Sequence, residues 1–221
     1  MRIRTKKWAR PELDACKYFV SNCAKYKTKW KEFFENDKEI HLDLGCGKCT
    51  FMADLAYENP KINHIAVDIS MDILGVARRN ISARFEPSEP SNVALTSFNI
   101  EKIKDFISKE DKVTRIYINF CNPWSNAGHH KRRLTHTRQL MSYRDVLAEN
   151  GEIWFKTDDD NLYFASKIYF EECGFEIFFD TMDLNSLENT GNILSEHEKM
   201  FEAQGIKTKA IRARMLPIIK G

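Results

Sequence analysis

The chain has 221 residues, 43% hydrophobic and 30% charged, with a net charge of +2. That balance suits one globular α/β domain with modest extensions. No apolar run approaches the roughly 18 residues that a membrane-spanning helix needs, so none is expected. The first residues, Met1-Arg-Ile-Arg-Thr-Lys-Lys-Trp8, lack the apolar core and small-residue cleavage site of a secretory signal, so a cytoplasmic protein is expected.

The charge is unevenly spread. Arg2, Arg4, Lys6, Lys7 and Arg10 form a first acid-free block, His129 to Arg144 a second, and Lys207 to Lys220 a third. Clustered cations, rather than a high net charge, are what a phosphate backbone requires. Cysteines stand at 16, 23, 46, 49, 121 and 173. Cys46-Gly-Lys-Cys49 has no second close pair to complete a zinc ribbon, and His129 and His130 have no acid beside them, so no metal centre is expected.

In chain order, residues 1–38 read as a basic extension with helical material from Pro11 to Phe34, packing on a main domain over 39–221. Strand one is Ile40-His-Leu-Asp-Leu44, stopped by Gly45-Cys-Gly47, with a helix over about Lys48–Glu58. Strand two is Ile62–Asp68, and Ser70 is an N-cap for a helix to Ile81. Strand three is Asn92–Phe98, with a helix near Lys102–Ser108, and strand four is Val113–Asn119. Thr135 or Thr137 opens a long helix to Glu149, closed by Asn150-Gly151. Glu152–Lys156, Phe175–Thr181 and a stretch within Ala210–Ile219 complete seven strands, with a helix over Asp159–Cys173 between the fifth and sixth. Strands alternating with helices at this spacing predict a mostly parallel seven-stranded sheet with helices on both faces, Rossmann-like in type. Ligands of such sheets bind beyond the carboxyl ends of the strands.

The residues expected at those ends are unusual. After strand one, Asp43-Leu-Gly45-Cys-Gly47 has Thr50 where a dinucleotide fingerprint needs a third glycine. An acid two residues before the first glycine suits a cationic ligand, and Asp68 suits the two hydroxyls of a ribose. Together these favour S-adenosylmethionine. A rival reading takes Cys46-x-x-Cys49 at a helix start as a thioredoxin-type thiol pair, which leaves Asp43, Asp68 and the basic blocks without a role. After strand four, Asn119-Phe-Cys-Asn122-Pro-Trp124 runs into His129-His-Lys131-Arg132-Arg133, combining a planar recognition residue with phosphate-type charge.

These motifs resemble the bacterial tRNA (guanine-N7-)-methyltransferase family. The resemblance rests on Tyr117-Ile-Asn-Phe120-x-x-Pro123-Trp124, His129-x-Lys131-Arg132-Arg133-Leu134-Thr135, Phe155-Lys156-Thr157-Asp158 and Asn192-Ile-x-Ser195-Glu-x-Glu198-x-x-Phe201. It covers nearly the whole chain. It implies a class I S-adenosylmethionine-dependent methyltransferase that modifies N7 of a guanine in the tRNA variable loop; the sequence itself leaves monomer and homodimer both open. On the matching positions it implies that Asp43, Asp68 and Glu101, with Asn99 beside the last, hold the cofactor; Gly45 and Gly47, which let a ligand approach the peptide, and Asn122, which keeps an acceptor, are expected there with them. Asn126, Asp158, Ser195, Glu196, His197 and Glu198 would then meet the substrate guanosine; by their clustered charge, Lys131, Arg132 and Arg133 are expected on the RNA backbone. Two departures stand out. Where the family reads Asp-Pro-Trp-Pro-Lys this chain has Asn122-Pro-Trp-Ser-Asn126, so Asn122 is expected to position ligands rather than to move protons. A catalytically silent RNA-binding relative, or a methyltransferase acting on a different nitrogen, are the alternatives those departures keep open.

Overall fold

Asn63–Asp68 and Ile40–Leu44 are buried almost throughout, as strands covered on both faces must be. They lie at the middle of an eight-stranded sheet in the computed structural model, which describes residues 5–217. The strands are β1 (Phe19–Val20), β2 (Ile40–Leu44), β3 (Asn63–Asp68), β4 (Val93–Ser97), β5 (Val113–Asn119), β6 (Leu147–Thr157), β7 (Phe175–Thr181) and β8 (Lys209–Met215). Their order is β1-β4-β3-β2-β5-β6-β8-β7, with β8 antiparallel to both of its neighbours and every other pairing parallel. The helices are α1 (Ala9–Asp14), α2 (Trp30–Phe34), α3 (Thr50–Glu58), α4 (Met71–Phe85), α5 (Thr137–Arg144), α6 (Asp160–Glu172) and α7 (Glu196–Glu202). Apolar clusters on the two faces hold them, one including Trp30, Tyr143 and Phe170, the other Leu13, Met52 and Leu74.

Three expectations need correction. Pro11 to Phe34 is not continuous helix: α1 ends at Asp14 and β1 adds an eighth strand at the sheet edge. The edge of β4 offers Phe19–Val20 backbone partners, with Leu95 N–H donating to the Tyr18 carbonyl at 2.8 Å and the Thr96 hydroxyl to the Val20 carbonyl at 2.7 Å. The helix expected to reach Glu149 stops at Arg144, and Asn150-Gly151 lies inside β6, where Asn150 at φ +58° turns the strand. The segment near Lys102 is a 3-10 turn, Ile100–Asp105, rather than an α-helix.

The N-terminal residues are bound into the domain. The Lys6 N–H donates to Asp72 Oδ1 at 2.6 Å, the Arg79 guanidinium covers the Trp8 ring at 3.5 Å, and Ala9 packs on α4 at Gly75. A Cβ at Gly75 would lie 2.5 Å from the Ala9 Cβ, so only glycine lets the helices approach this closely. Arg2, Arg4 and Lys220 of the basic blocks lie outside the described residues.

The chain runs β2, β3, β4 to one side and β5, β6 to the other. The order therefore reverses between β2 and β5, which places the switch-point crevice beyond Leu44 and Asn119.

Candidate active site

Two adjoining clefts open at that crevice, of about 210 and 410 Å³, and both are bordered by Gly45 and Phe120. The smaller contains Asp43, Gly47, Asn119 and the rim residues Ser195–His197. The larger contains Asp68, Asn99, Glu101, Asn122, Trp124 and Arg132. The fold thus brings every expected cofactor residue to one or other of two clefts that share Gly45 and Phe120.

The turn after β2 carries Gly45 at φ +82° and Gly47 at φ +54°, where a side chain would be strained. No heavy atom lies within 4 Å of where a Gly47 Cβ would be, so the peptide borders open space. The Asp68 carboxylate accepts from Gly47 N–H at 3.1 Å and Ser70 N–H at 2.9 Å, one on each oxygen. Each oxygen keeps a further lone pair. Asp43 is 2% exposed, and its Oδ1 has no partner. Burial pushes its carboxyl up to about 7; the Lys156 charge opposes that shift, while Asp68 adds to it.

The opposite wall follows β5. Phe120 at φ +51° and Trp124 at φ +45° are both held in a left-handed backbone uncommon for aromatic residues. Asn122 Oδ1 accepts from Trp124 N–H at 2.9 Å, so the amide fixes the turn that presents the tryptophan. The Arg132 guanidinium lies 5.0 Å from the Trp124 ring centroid and the His129 ring is edge-on to it. Asn99 Oδ1 accepts from Glu101 N–H at 3.0 Å, and the Glu101 carboxylate is engaged by Arg138 at 2.7 Å.

Helix α7 closes the smaller cleft. His197 stacks on Phe120 with ring centroids 5.7 Å apart, and Glu196 meets Lys48 of the glycine turn at 2.7 Å. Glu198 is not at the cleft surface. It is fully buried, paired with Lys156 at 2.6 Å, bonded by Asn192 Nδ2, and locked with Ser195 in a reciprocal capping box. Burial pushes the Lys156 ammonium down, against the pull of Glu198 and Asp43.

Other expected positions are more scattered. Asp158 is exposed at the C-terminal end of β6; Asp159, not Asp158, caps α6, through Leu162 N–H at 2.6 Å. Asn126 is exposed and caps the following 3-10 turn through Gly128 N–H. Lys131 and Arg132 face solvent, but Arg133 is 2% exposed and donates to the Pro123 carbonyl at 2.8 Å, so it braces the loop from inside. The clefts also contain Asn119 and Phe120, and Lys156 and Asn192 support α7 behind them; all four stand in the quoted motifs without a role of their own. Lysine ending the apolar run Ile153–Phe155, and the Ser195-x-x-Glu198 spacing, were the available signals.

The sequence model of the family described as "Putative methyltransferase" matches residues 37–211. A tRNA (guanine-N(7)-)-methyltransferase of Clostridium beijerinckii is 55% identical over 96% of this chain and 98% of its own. One from Clostridium perfringens is 50% identical over 98% of this chain and 100% of its own. Among solved structures, a 16S rRNA methyltransferase superposes with a TM-score of 0.63 at 11% identity, covering 86% of this chain and 93% of that one. An antibiotic-related methyltransferase gives 0.62 at 18% identity over 88% and 94%. The fold is the Rossmann-like fold of class I methyltransferases, and the chain belongs to the tRNA (guanine-N(7)-)-methyltransferase family.

Proposed function

We propose that this protein transfers the methyl group of S-adenosylmethionine to N7 of a guanine in the tRNA variable loop. The observation that carries the reading is the meeting of two clefts at Gly45 and Phe120, one holding Asp43 and the other Asp68, beside the exposed basic loop at Lys131 and Arg132.

The residues present fit the cofactor. Asp68 keeps lone pairs for two ribose hydroxyls, and the buried, unpartnered Asp43 Oδ1 needs a donor such as a cationic ammonium. Gly45 and Gly47 let the ligand approach the peptide, while Asn99 and Glu101 border the adenosine end. Bound there, S-adenosylmethionine supplies an electrophilic methyl carbon on a sulfonium.

Guanine N7 offers an in-plane lone pair and carries no proton, so the chain is not required to provide a general base. What it must do is hold N7 in line with the methyl carbon, because alignment is where such a reaction gains most. Asn122 and Trp124 form the wall against which the base is held, with Glu196 and His197 on the rim of the adjoining cleft and Asp158 exposed at the end of β6. Ser195 and Glu198 act from inside, fixing α7 on the sheet. Asn126, Lys131 and Arg132 extend the site toward the RNA backbone, while Arg133 acts through Pro123.

The test uses S-adenosylmethionine with a labelled methyl group and an unmodified tRNA transcript. Label is expected in that tRNA and not in one whose variable-loop guanines are replaced by adenine; equal labelling of both would overturn the reading.

A further inference from the structure

Asn119 ends β5 with a side-chain amide that makes no hydrogen bond at either Nδ2 or Oδ1, though both atoms are buried. Buried amides are ordinarily paired, because leaving the group dry and unbonded is unfavourable. The amide borders the cleft that contains Asp43 and the glycine turn. Strand register explains the placement. Asp43 stands opposite Tyr117, and Asn119 opposite Lys156, so Asp43, Asn119 and Lys156 project from the same face of the sheet. Asn119 lies one pleat beyond Asp43, level with the turn at Gly45.

We propose that Asn119 binds the amino-acid end of S-adenosylmethionine, its Nδ2 donating to the α-carboxylate and its Oδ1 accepting from the α-ammonium beside Asp43. A primary amide offers one donor side and one acceptor side, which matches a zwitterion better than a second carboxylate or a second cation would. The neighbouring groups agree with this division. Asp43 supplies the negative charge that the ammonium calls for, and Lys156 is already engaged by Glu198, Asn192 and the Ile193 carbonyl. Asp68, Asn99 and Glu101 border the other cleft, leaving the adenosine end there. The left-handed Phe120 that follows turns the chain away from the strand direction and walls both clefts, so Asn119 is the last residue of β5 to face this compartment.

The proposal rests on the reading of the cleft as the cofactor site. Its test compares two ligands that share the adenosine and differ in the amino-acid end: S-adenosylhomocysteine and 5′-methylthioadenosine. By calorimetry, Asn119→Ala is expected to weaken S-adenosylhomocysteine about tenfold or more and 5′-methylthioadenosine by less than about twofold. In steady state the KM for S-adenosylmethionine should rise while the KM for tRNA is unchanged. Asn119→Ser, which keeps a small polar group, replaces the alanine variant if that one does not fold. Equal losses for both ligands, no loss for either, or a change confined to the KM for tRNA would overturn the assignment. A wild-type protein that binds S-adenosylhomocysteine yet methylates no tRNA overturns the proposed reaction and leaves this comparison intact. A wild-type protein that binds neither ligand overturns both.

Discussion

The ammonium of Lys156, at the C-terminal end of β6, lies 2.6 Å from the carboxylate of Glu198 on α7, and both side chains are buried. A residue two-thirds along the chain thereby fixes a helix forty residues later over the glycine turn of β2. Asn192 joins both ends of the pair, accepting from Lys156 at 3.0 Å and donating to Glu198 at 2.8 Å.

Removing one member of such a pair leaves the other charge buried without a partner, at a cost of about 3–5 kcal/mol. Lys156→Met or Glu198→Gln alone should therefore lower stability by about that amount in denaturant unfolding, whereas Lys156→Met with Glu198→Leu should recover most of it. Single variants that unfold at the wild-type midpoint would show that the pair contributes nothing.

Asp43 gives a pH signature. Burial raises its carboxyl to about 7, while an aspartate in the unfolded chain ionises near about 3.9. Between those two values the folded state holds a proton that the unfolded state has released, so stability falls as pH rises through that window. Asp43→Asn carries no such proton and should gain on wild type toward about pH 8, the difference shrinking toward about pH 5. Cofactor affinity should move oppositely, tightening between about pH 6 and 7.5 as the carboxylate forms, and flattening in Asp43→Asn. Calorimetric titration across that range checks it, and a pH-independent wild-type affinity would contradict the role given to Asp43.

Arg132 and Arg133 adjoin in sequence and differ in kind. Arg132 is exposed over Trp124; Arg133 is buried against the Pro123 carbonyl. Arg132→Ala should weaken tRNA binding and reduce the slope of log affinity against log salt by about one. Arg133→Ala should instead destabilise the fold by roughly 1–3 kcal/mol, because the buried guanidinium's packing and its bond to the Pro123 carbonyl are lost. Anisotropy titrations at several salt concentrations, with thermal unfolding of both variants, separate the two.

Asn122 holds the Trp124 turn with its Oδ1. Asn122→Asp keeps that acceptor and is expected to stay within about tenfold of wild type in kcat/KM, while Asn122→Ala releases the turn and loses about a hundredfold. A large gain in Asn122→Asp would mean that the native amide impairs the site.

Much of this was legible in the sequence, for identifiable reasons. Ile40–Leu44 and Val113–Asn119 read as strands because Ile40, Leu42 and Leu44, and Val113, Ile116 and Ile118, set short apolar patterns that end at Gly45 and Asn119. The location of Asp43, Asp68 and Asn122 about one crevice follows from the fold type, which places strand ends there. Phe19–Val20 was not, because its strand exists only through pairing with β4, a tertiary contact that its aromatic neighbours disguise. Glu198 and Arg133 were misjudged in the same way: a charged residue reads as exposed until its buried partner, Lys156 or the Pro123 carbonyl, is seen. Asn119 stands in the stretch singled out after strand four, but its own role is visible only in the structure, where its amide makes no hydrogen bond.

The atom that receives the methyl group defines the reaction. An unmodified tRNA pool treated with the protein and S-adenosylmethionine, digested and mapped by mass spectrometry, should carry one new 7-methylguanosine in the variable loop. Methylation at an exocyclic or ring nitrogen other than guanine N7, or no methylation at high enzyme concentration, would contradict the account.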